Sequence, residues 1–401
     1  MQKIYKVAII GGGSAGLLTA VELLSGANAI SGEQVLLLER NDRVGKKLIA
    51  TGNGQGNLCN ANFSADYYYG EKGFLRAFVE QTNALDIEKY FAKLGIYLTT
   101  GKDGKKYPIS KQASAVLDLL RANLSSKGLK EEVDFFVDSI NEKNGVFEIY
   151  SRDKKFYAEN VVLAVGGKSA KQFGTDGTSY VLAEKFGHKT TKLYPSLVQL
   201  KTQLENIKGL KGLKENVRVT AIDNGQEVKS AEGEILFTEY GVSGNSVFMI
   251  SSAFTDYKNS FINVEFLPEY TTEEIIFMLK ERAKTGYIDK ENYLAGIVNK
   301  RIGQAVLKTA KGLNPSAVAH ALKNFNLKVT GDLGFNYSQV TKGGVETSKV
   351  NPYTMESKLK KGLYIVGEAL DVDGDCGGYN LTFAFVSGII SARAIKSKQD
   401  K

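Results

Sequence analysis

The sequence predicts an α/β fold that carries a large insertion of different texture. A buried apolar strand near the start of the chain runs directly into a glycine-rich turn and a helical pattern. A second apolar strand ends in an acidic residue at about the spacing, roughly 20 residues, of a dinucleotide-binding βαβ unit. After residue 188 apolar and polar residues alternate, which is typical of antiparallel strands. These observations favour a Rossmann-like domain of the three-layer ββα type, with an inserted β-barrel-like module and a small helical module.

The glycine-rich turn follows the apolar run 7–10 and has the spacing G-x-G-x-x-G. The first glycine permits the turn, the second lets the backbone approach a pyrophosphate, and the third lets helix and strand pack closely. The free N–H groups of the first helical turn would face the phosphates. The alternative interpretation is a glycine-rich turn that serves only the packing of the strand against the helix. The predicted phosphate-binding residues are Gly11, Gly13, Ser14, Ala15 and Gly16.

The second strand, residues 34–38, ends at Glu39, which lies 23 positions after Gly16. An acid at this place in a βαβ unit binds the ribose hydroxyls of an adenine dinucleotide. A solvated charge after a strand is the alternative. We therefore predict that Glu39, together with the adjacent Arg40, belongs to the adenosine end of a cofactor site.

Length and composition limit the remaining possibilities. With 401 residues, of which 43% are hydrophobic, the chain is too long for one ordinary core, so we expect two domains or one domain with an insertion. No segment offers the roughly 18 apolar residues that a membrane helix needs, and Met1 to Lys6 leads directly into the first strand. We expect a soluble, cytoplasmic protein without a membrane partner.

Cysteine and histidine are scarce. Cys59 and Cys376 form no C-x-x-C pair, and His188 and His320 are the two histidines of the chain. This predicts neither a disulfide framework nor a metal site. Cys59 is a weak candidate for a redox thiol, because no basic residue flanks it.

The net charge of +8 raises the question of nucleic-acid binding. The lysines are spread along the chain, however, and occur as pairs such as Lys46–Lys47 and Lys360–Lys361 rather than in a dense basic run. We interpret the charge as a solvated surface, so we expect a small-molecule substrate and regard nucleic acid as a minor alternative.

A polar glycine loop follows the ribose-binding acid. Glycines at 52, 54 and 56 alternate with polar residues, a composition that suits neither a helix nor a buried strand. Freed backbone amides and polar side chains could bind phosphates or the polar edge of a ring; a surface loop without a ligand is the alternative. The predicted binding residues here are Lys47, Thr51, Gly52, Asn53, Gly54 and Asn57.

At this point the sequence resembles a known family. The pattern V-x-I-I-G-G-G-x-A-G, the strand end L-L-E-R and the stretch from Gly45 to Gly54 are similar to the BaiN-like, or YhiN-like, flavoproteins, also called aminoacetone-oxidase-like. That family usually continues with Arg-Cys-Asn-Leu-Thr-Asn, where this chain has the residues from Gln55 to Asn60. The resemblance implies a Rossmann-like fold, bound FAD and oxidoreductase activity.

Residues 61–130 have a mainly helical pattern, and we predict a third strand at 133–140 with a partner strand at 146–151. The apolar run 161–165 ends in two glycines, as expected for a buried parallel strand that brings its backbone to a cofactor. By resemblance to related flavoproteins, Val137 is expected near the adenine. The predicted contacts of this strand end are Ala164, Val165, Gly166 and Gly167.

The insertion has its own signals. A hairpin turn at 223–226 lies between alternating segments, Thr271 and Glu274 form a capping-box pattern, and a helix should start at Asn314 and end near Phe325. We predict a Rossmann-like domain of residues 1–188 and 341–401, an inserted β module of residues 189–270 with 326–340, and a helical module of residues 271–325.

The C-terminal stretch 362–388 closely resembles the family's terminal segment G-L-Y-x-x-G-E-x-L-D…G-G-Y-N. A short strand ends in a glycine and an acid, and a helix should begin near residue 379. Such a helix start can stabilise negative charge on a reduced flavin, while the acid binds the ribityl hydroxyls. The predicted contacts are Gly367, Glu368, Gly378, Tyr379, Asn380 and Leu381.

The leading hypothesis is an FAD-dependent oxidoreductase that transfers hydride or electrons at the flavin, with NAD(P)H as a candidate transient reductant. An RNA-associated flavoprotein that uses FAD for modification or for structure is the alternative. An NAD-only dehydrogenase is disfavoured, because a C-terminal Gly-Glu segment that returns to an N-terminal dinucleotide fold is a flavoprotein arrangement, and no second full G-x-G-x-x-G motif is present for a nicotinamide cofactor. The sequence identifies no catalytic side chain, and the substrate and oligomeric state stay open.

Overall fold

The computed structural model describes residues 3–152, 154–178, 180–286 and 288–398. These residues divide into two compact units, one formed by 3–193 with 340–398 and the other by Tyr194–Gln339. The first unit therefore combines both ends of the chain, and the second is an insertion between them.

The elements follow the chain in three groups. Before the insertion lie β1 (Ile4–Ile10), α1 (Ser14–Leu23), β2 (Val35–Leu38), α2 (Lys46–Ile49), β3 (Cys59–Asn60), β4 (Tyr68–Gly70), α3 (Lys72–Leu85), α4 (Ile87–Lys93), β5 (Leu98–Thr100), β6 (Lys105–Pro108), α5 (Ala113–Ser126), β7 (Lys130–Glu132), β8 (Ser139–Lys143), β9 (Val146–Ser151), β10 (Lys154–Leu163) and α6 (Tyr180–Glu184). Within it lie β11 (Tyr194–Ser196), β12 (Leu200–Thr202), β13 (Lys214–Asp223), β14 (Gln226–Phe237), β15 (Gly241–Ser243), α7 (Asn245–Ser251), β16 (Ser260–Phe266), α8 (Thr272–Ala283), α9 (Lys300–Ala310), α10 (Pro315–Lys323) and β17 (Phe325–Asp332). After it come β18 (Val340–Lys342), β19 (Leu363–Ile365), β20 (Val372–Gly374) and α11 (Tyr379–Ser397).

The main sheet of the first unit is mixed. Its strands lie in the order β7-β2-β1-β10-β9-β8, and β19 also pairs with β10. The pairs from β7 to β10 and from β10 to β19 are parallel, whereas β9 and β8 are antiparallel. The long β10 belongs to both the antiparallel and the parallel part of the sheet, since its first half pairs with β9 and its last residues pair with β19. The Rossmann-type fold predicted from the sequence is confirmed, and the carboxyl ends of β1, β2, β10 and β19 meet at one edge.

The insertion contains a closed barrel in the strand order β12-β15-β14-β13-β16-β17. The predicted hairpin turn joins β13 to β14, with positive φ angles at Asn224 and Gly225. The capping box of Thr271 and Glu274 is present at α8, and the Asn314 side chain caps α10. The barrel and the helices share one hydrophobic core, so the finer division into a β and a helical module stays a prediction.

One local prediction was wrong. The third strand does not span 133–140: β7 ends at Glu132, and β8 begins only at Ser139. Asp134 has a φ of +51°, and the N–H groups of residues 134 and 135 donate to the carbonyls of Asn41 and Glu39, so this stretch is a loop wrapped around the end of β2. Residues 61–130 are mainly helical as predicted, with the short strands β4, β5 and β6 besides the helices, and α10 ends at Lys323, near the predicted end at Phe325. The partner strand 146–151 is confirmed as β9.

Among the described residues, no helix combines the length and the apolar character needed to cross a bilayer.

His188 gives the folded state a specific pH dependence. Its ring is 3% exposed, Nε2 lies 2.7 Å from the Ser357 hydroxyl, and Nδ1 has no hydrogen-bond partner among the described residues. Burial lowers the pKa of His188 below its ordinary value of 6.5. The unfolded chain therefore binds a proton that the folded chain does not, and stability is lost as the pH falls below about 6.5.

We expect the free energy of unfolding to fall between pH 7 and pH 5 with a contribution from His188 of at most about 1.4 kcal/mol per pH unit. Denaturant unfolding at a series of pH values measures this slope. His188→Gln should flatten the slope, whereas His320→Gln, at an exposed position of α10, should keep it. Equal slopes in the two variants would contradict the assignment.

Candidate cofactor site

The three glycines of the glycine-rich turn have different surroundings in the structure. Gly11 has a φ of +106°, and a Cβ there would lie 2.3 Å from the Ala164 carbonyl oxygen. A Cβ on Gly16 would lie 1.9 Å from the Gly11 carbonyl oxygen. A Cβ on Gly13, in contrast, would meet no protein atom within 4 Å. The first and third glycines are thus required by protein packing, while the second leaves open space at the start of α1.

Helix α1 begins without a side-chain cap. Gly13 is its N-cap residue, and the first turn contains Ser14 and Ala15 but no acidic side chain. The first N–H groups of a helix have no intrahelical acceptor, and the helix dipole makes this end positive. The open space beside Gly13 therefore adjoins an arrangement suited to phosphate oxygens.

The Glu39 carboxylate is fixed at the end of β2, next to this turn. It is 7% exposed, and its Oε2 accepts from the Gly12 N–H at 2.8 Å. Its Oε1 accepts from the backbone N–H and the side-chain amide of Asn41 at 2.8 and 2.7 Å. Three donors hold the carboxylate in one orientation beside the glycine turn, which suits the predicted ribose contact.

Arg40 follows this carboxylate directly in sequence, and Val137 lies in the loop between β7 and β8. The Arg40 guanidinium forms an ion pair with Asp176 at 2.9 Å and lies over the Phe136 ring, 4.7 Å from its centroid. Val137 is 8% exposed and belongs to the loop that wraps around the end of β2. Arg40 therefore already has an ion-pair partner within the protein. A guanidinium that contacts the cofactor, as predicted, would have to do so while it also binds Asp176.

The polar loop after α2 has an unusual backbone. Gly52, Asn53 and Gly54 all have positive φ, and a Cβ on Gly54 would meet nothing within 4 Å. The Thr51 hydroxyl donates to the Leu48 carbonyl at 2.7 Å, so it closes the end of α2. Asn57, in the amide orientation that satisfies both of its groups, accepts from the Gly378 N–H at 3.2 Å. This loop is thereby connected to the start of α11.

The end of β10 meets the C-terminal acid. A Cβ on Gly167 would lie 2.8 Å from Glu368 Oε1 and 2.5 Å from the Thr341 hydroxyl oxygen, so the backbone of 164–167 approaches Glu368 closely. Gly166 has a φ of +72°. The carboxylate of Glu368 pairs with the Lys47 ammonium at 2.7 Å and accepts from the Thr341 N–H at 2.9 Å. Lys47, Gly167 and Glu368, which are distant in sequence, therefore form one cluster.

Helix α11 starts at a position that only glycine can occupy without strain. Gly378 has a φ of +98°, and a Cβ there would lie 2.7 Å from the Cys59 carbonyl oxygen. The Asn380 side chain donates to the Gly374 carbonyl and accepts from the Gly374 N–H at 2.7 and 2.8 Å. The Tyr379 hydroxyl donates to the Asn62 carbonyl at 2.9 Å. The Asn380 side chain therefore holds the segment before α11 and the Tyr379 side chain holds the segment after β3, so the backbone N–H groups, rather than these side chains, are the part suited to a ligand.

Leu381 and Gly367 pack inside the first unit. Leu381 is partly buried against its hydrophobic core, and a Cβ on Gly367 would lie 3.0 Å from the Ala15 side chain. The Gly367 N–H donates to the Ser387 hydroxyl at 2.9 Å. Gly367 therefore joins the C-terminal segment directly to the first turn of α1.

The cysteines do not favour thiol chemistry. Cys59 is 2% exposed, and burial raises its pKa to about 12. Burial also raises the pKa of Cys376. A protonated thiol is a poor nucleophile, so Cys59 is better explained by packing than by the redox role considered from the sequence.

Sequence reasoning missed two residues of this site. Asn41 orients Glu39, and Thr341 joins Glu368 to the backbone of residues 168 and 169. Asn41 could have been suspected as a short amide two positions after the predicted acid. Thr341 gives no local signal, because its partners lie more than 170 residues away in sequence.

The residues present fit an adenine dinucleotide that ends in a flavin. An open glycine turn, an uncapped helix start and a fixed carboxylate occupy one part of the site, and a second carboxylate with a lysine occupies another. The first set matches a pyrophosphate and a ribose, and the second set offers donors and acceptors for a polyhydroxyl chain.

Substitutions at the second and third glycines of the motif, Gly13 and Gly16, test this assignment. Gly13→Val should leave the fold intact, because a Cβ has space there, yet it should block the pyrophosphate and abolish most FAD binding. Gly16→Ala should instead lower the free energy of unfolding by about 2–3 kcal/mol or more, because its Cβ would overlap a backbone carbonyl. Thermal unfolding of the cofactor-free proteins and titration with FAD separate the two effects. Full FAD binding by folded Gly13→Val would show that the turn is purely structural.

Comparison with known proteins gives a consistent result. The profile described as HI0933-like protein Rossmann domain matches residues 5–394. The chain is 34% identical to the 3-dehydro-bile acid delta(4,6)-reductase of Clostridium scindens, covering 97% of this chain and 98% of that protein. It is 27% identical to the ribosomal RNA dihydrouridine synthases of Haemophilus influenzae, over 98% and 99% of the two chains, and of Escherichia coli, over 96% of each.

These matches extend over nearly the whole chain and include both the glycine turn and the C-terminal segment, so the resemblance to BaiN-like flavoproteins is confirmed. The chain belongs to the HI0933-like Rossmann family and is an FAD-dependent oxidoreductase.

Proposed function

We propose that this protein is a reductase that uses FAD to saturate a carbon–carbon double bond conjugated to a carbonyl group in a small molecule. The observation that carries the proposal is the 34% identity, over nearly the full length of both chains, to a 3-dehydro-bile acid delta(4,6)-reductase. That name describes reduction of double bonds at positions 4 and 6 of a steroid skeleton that carries an oxo group at position 3, to which these bonds are conjugated.

The more distant relatives support the same class of chemistry. A dihydrouridine synthase reduces the double bond of a uracil ring, and this bond is also conjugated to a carbonyl. The two named reactions therefore share one step, although their substrates differ greatly in size. In that step the β carbon gains a hydride, the α carbon gains a proton, and the reductant loses two electrons.

When bound, the flavin supplies the hydride, and the protein supplies position and electrostatics. We propose that the glycine turn with Glu39 holds the adenosine half and that Lys47, Glu368 and the 164–167 backbone hold the ribityl half. The uncapped start of α11 would stabilise negative charge near the flavin. NAD(P)H is the reductant that we propose to restore the reduced cofactor.

Anaerobic reduction and reoxidation test this proposal. The FAD-loaded protein is reduced with NADH or NADPH in separate experiments, and a 3-oxo-4-ene steroid is then added. We expect the oxidised flavin spectrum to return and the product to gain two hydrogen atoms by mass spectrometry. The matching saturated 3-oxo steroid is the control and should leave the flavin reduced. Failure of a panel of conjugated enones to reoxidise the flavin would reject the proposal.

RNA is the second candidate substrate, and one feature of the insertion favours it. Residues 194–339 carry 17 Lys and Arg against 16 Asp and Glu, but the charges are unevenly distributed. Residues 292–331 contain six Lys and Arg and no acidic residue, whereas 194–291 contain 11 basic and 15 acidic residues. Lys300, Lys308 and Lys311, on and just after α9, are exposed and form no ion pair among the described residues. A phosphate backbone is a suitable partner for such a face.

Charge variants distinguish this candidate. If RNA is the substrate, replacing Lys300, Lys308 and Lys311 by Ala should weaken rRNA binding and reduce the slope of log K against log salt by about 0.7 per lost phosphate contact. The matched control replaces Lys211, Lys214 and Lys258, which are exposed on the barrel side of the insertion. Equal effects of the two triple variants, or no dihydrouridine formed in rRNA, would reject the RNA candidate.

A further inference from the structure

A continuous series of hydrogen bonds links the two carboxylates of the candidate site. Glu39 and Glu368 lie more than 300 positions apart in sequence, and each is predicted to bind one half of FAD. Between them runs the segment 169–178, here called the strap, which contains one short 3-10 turn at Lys171–Phe173. The Phe173 carbonyl of the strap contacts Asn41, which also holds Glu39, and the Ser169 side chain contacts Thr341, which also holds Glu368.

At the adenosine end, Asn41 connects the strap to Glu39. Its side-chain amide donates to Glu39 Oε1 at 2.7 Å and to the Phe173 carbonyl at 3.1 Å. The strap approaches so closely that a Cβ on Gly174, where φ is +92°, would lie 2.5 Å from this amide nitrogen. One amide group thus fixes the carboxylate and the strap together.

Arg40 provides a second attachment at this end. Its guanidinium donates to the Gly174 carbonyl at 3.1 Å and pairs with Asp176 at 2.9 Å. The Asp176 side chain also accepts from the Thr178 N–H and hydroxyl. Although burial opposes it, these donors lower the pKa of Asp176 to about 2, so the ion pair persists at any pH near neutrality.

At the flavin end, the strap reaches Glu368 through Thr341. The Thr175 hydroxyl donates to the Ser169 carbonyl, and the Ser169 hydroxyl lies 2.9 Å from the hydroxyl of Thr341. Thr341 is 1% exposed, and its hydroxyl oxygen accepts from the N–H groups of Lys168 and Ser169 at 2.8 and 3.0 Å. Its own N–H donates to Glu368 at 2.9 Å. The hydrogen-bond series therefore ends on the second carboxylate.

We propose that the strap couples the two halves of the cofactor site, with Asn41 and Thr341 as positioning residues that hold Glu39 and Glu368 at the separation FAD requires. The proposal rests on FAD binding by these carboxylates, but not on the identity of the substrate. Its physical reason is preorganisation: carboxylates already fixed by buried hydrogen bonds lose little freedom when the cofactor binds. A substitution that releases the carboxylate at one end of the strap should then also weaken ligand binding at the other end.

ADP is the probe that reveals such coupling, because it resembles only the adenosine half of FAD. Thr341→Val removes a hydroxyl at the flavin end and keeps the side-chain volume. We expect this change to weaken ADP binding about fivefold to tenfold, comparable with the loss of one buried hydrogen bond. Asn41→Ala should have a similar effect, and the double variant should lose less than the product of the two single losses. Calorimetry with ADP and FAD measures all three.

Two control variants separate coupling from general damage. Ser387→Ala removes the hydroxyl that accepts from Gly367 N–H, next to Glu368 but outside the hydrogen-bond series. It should weaken FAD binding and leave ADP binding unchanged. Thr341→Ser keeps the hydroxyl and should restore ADP affinity to within about twofold of the wild type. Hydrogen exchange of residues 169–178 should slow when ADP binds to the wild-type protein and slow less in Thr341→Val.

The outcomes are distinct. If Thr341→Val weakens FAD but not ADP, the strap does not couple the two ends and the proposal is overturned. If Thr341→Val does not fold, Asp176→Asn, which breaks the partly exposed pair with Arg40 at the adenosine end, must weaken FAD binding by more than it weakens ADP binding for the proposal to stand. If the wild-type protein binds neither ADP nor FAD, the cofactor assignment itself fails, independently of the strap.

Discussion

The close backbone packing around the first turn of α1 is the constraint on which the first unit depends. A Cβ on Gly388 of α11 would lie 2.4 Å from the Ala15 carbonyl oxygen, and one on Gly367 would lie 3.0 Å from the Ala15 side chain. Together with the contact of Gly16 on Gly11, these approaches place β1, α1 and the C-terminal segment within van der Waals contact of one another. Any side chain at these glycines would separate the elements that carry the two predicted halves of the cofactor site.

Local patterns made much of this arrangement predictable from the sequence. The glycine spacing, the apolar run before it and the acid at residue 39 all act within one βαβ unit, where sequence distance and spatial distance are closely related. The same holds for the capping box at Thr271 and the hairpin turn at Asn224, which depend on residues three or four positions apart. These features could be predicted because short-range geometry decides them.

The features that sequence reasoning missed are decided by long-range contacts. Residues 133–138 have the composition of a strand, but their backbone groups bind the end of β2, which no local pattern reveals. Thr341 is an ordinary residue in sequence, and its importance follows from partners on the far side of a 170-residue interval. The backbone of Asn380 stays a predicted flavin contact, while its side chain binds the Gly374 backbone before the helix, a role that no local pattern indicates. A side chain's role depends on which groups the fold brings within 3 Å of it.

The insertion occupies a single connection of the main sheet. The insertion leaves the first unit after α6 and returns before β19, so it occupies the connection between the parallel strands β10 and β19. The entropic cost of lengthening a connection grows only slowly with its length, so such a segment can change without disturbing the sheet. The barrel closes on itself and shares its core with its own helices, and it takes no strand from the main sheet.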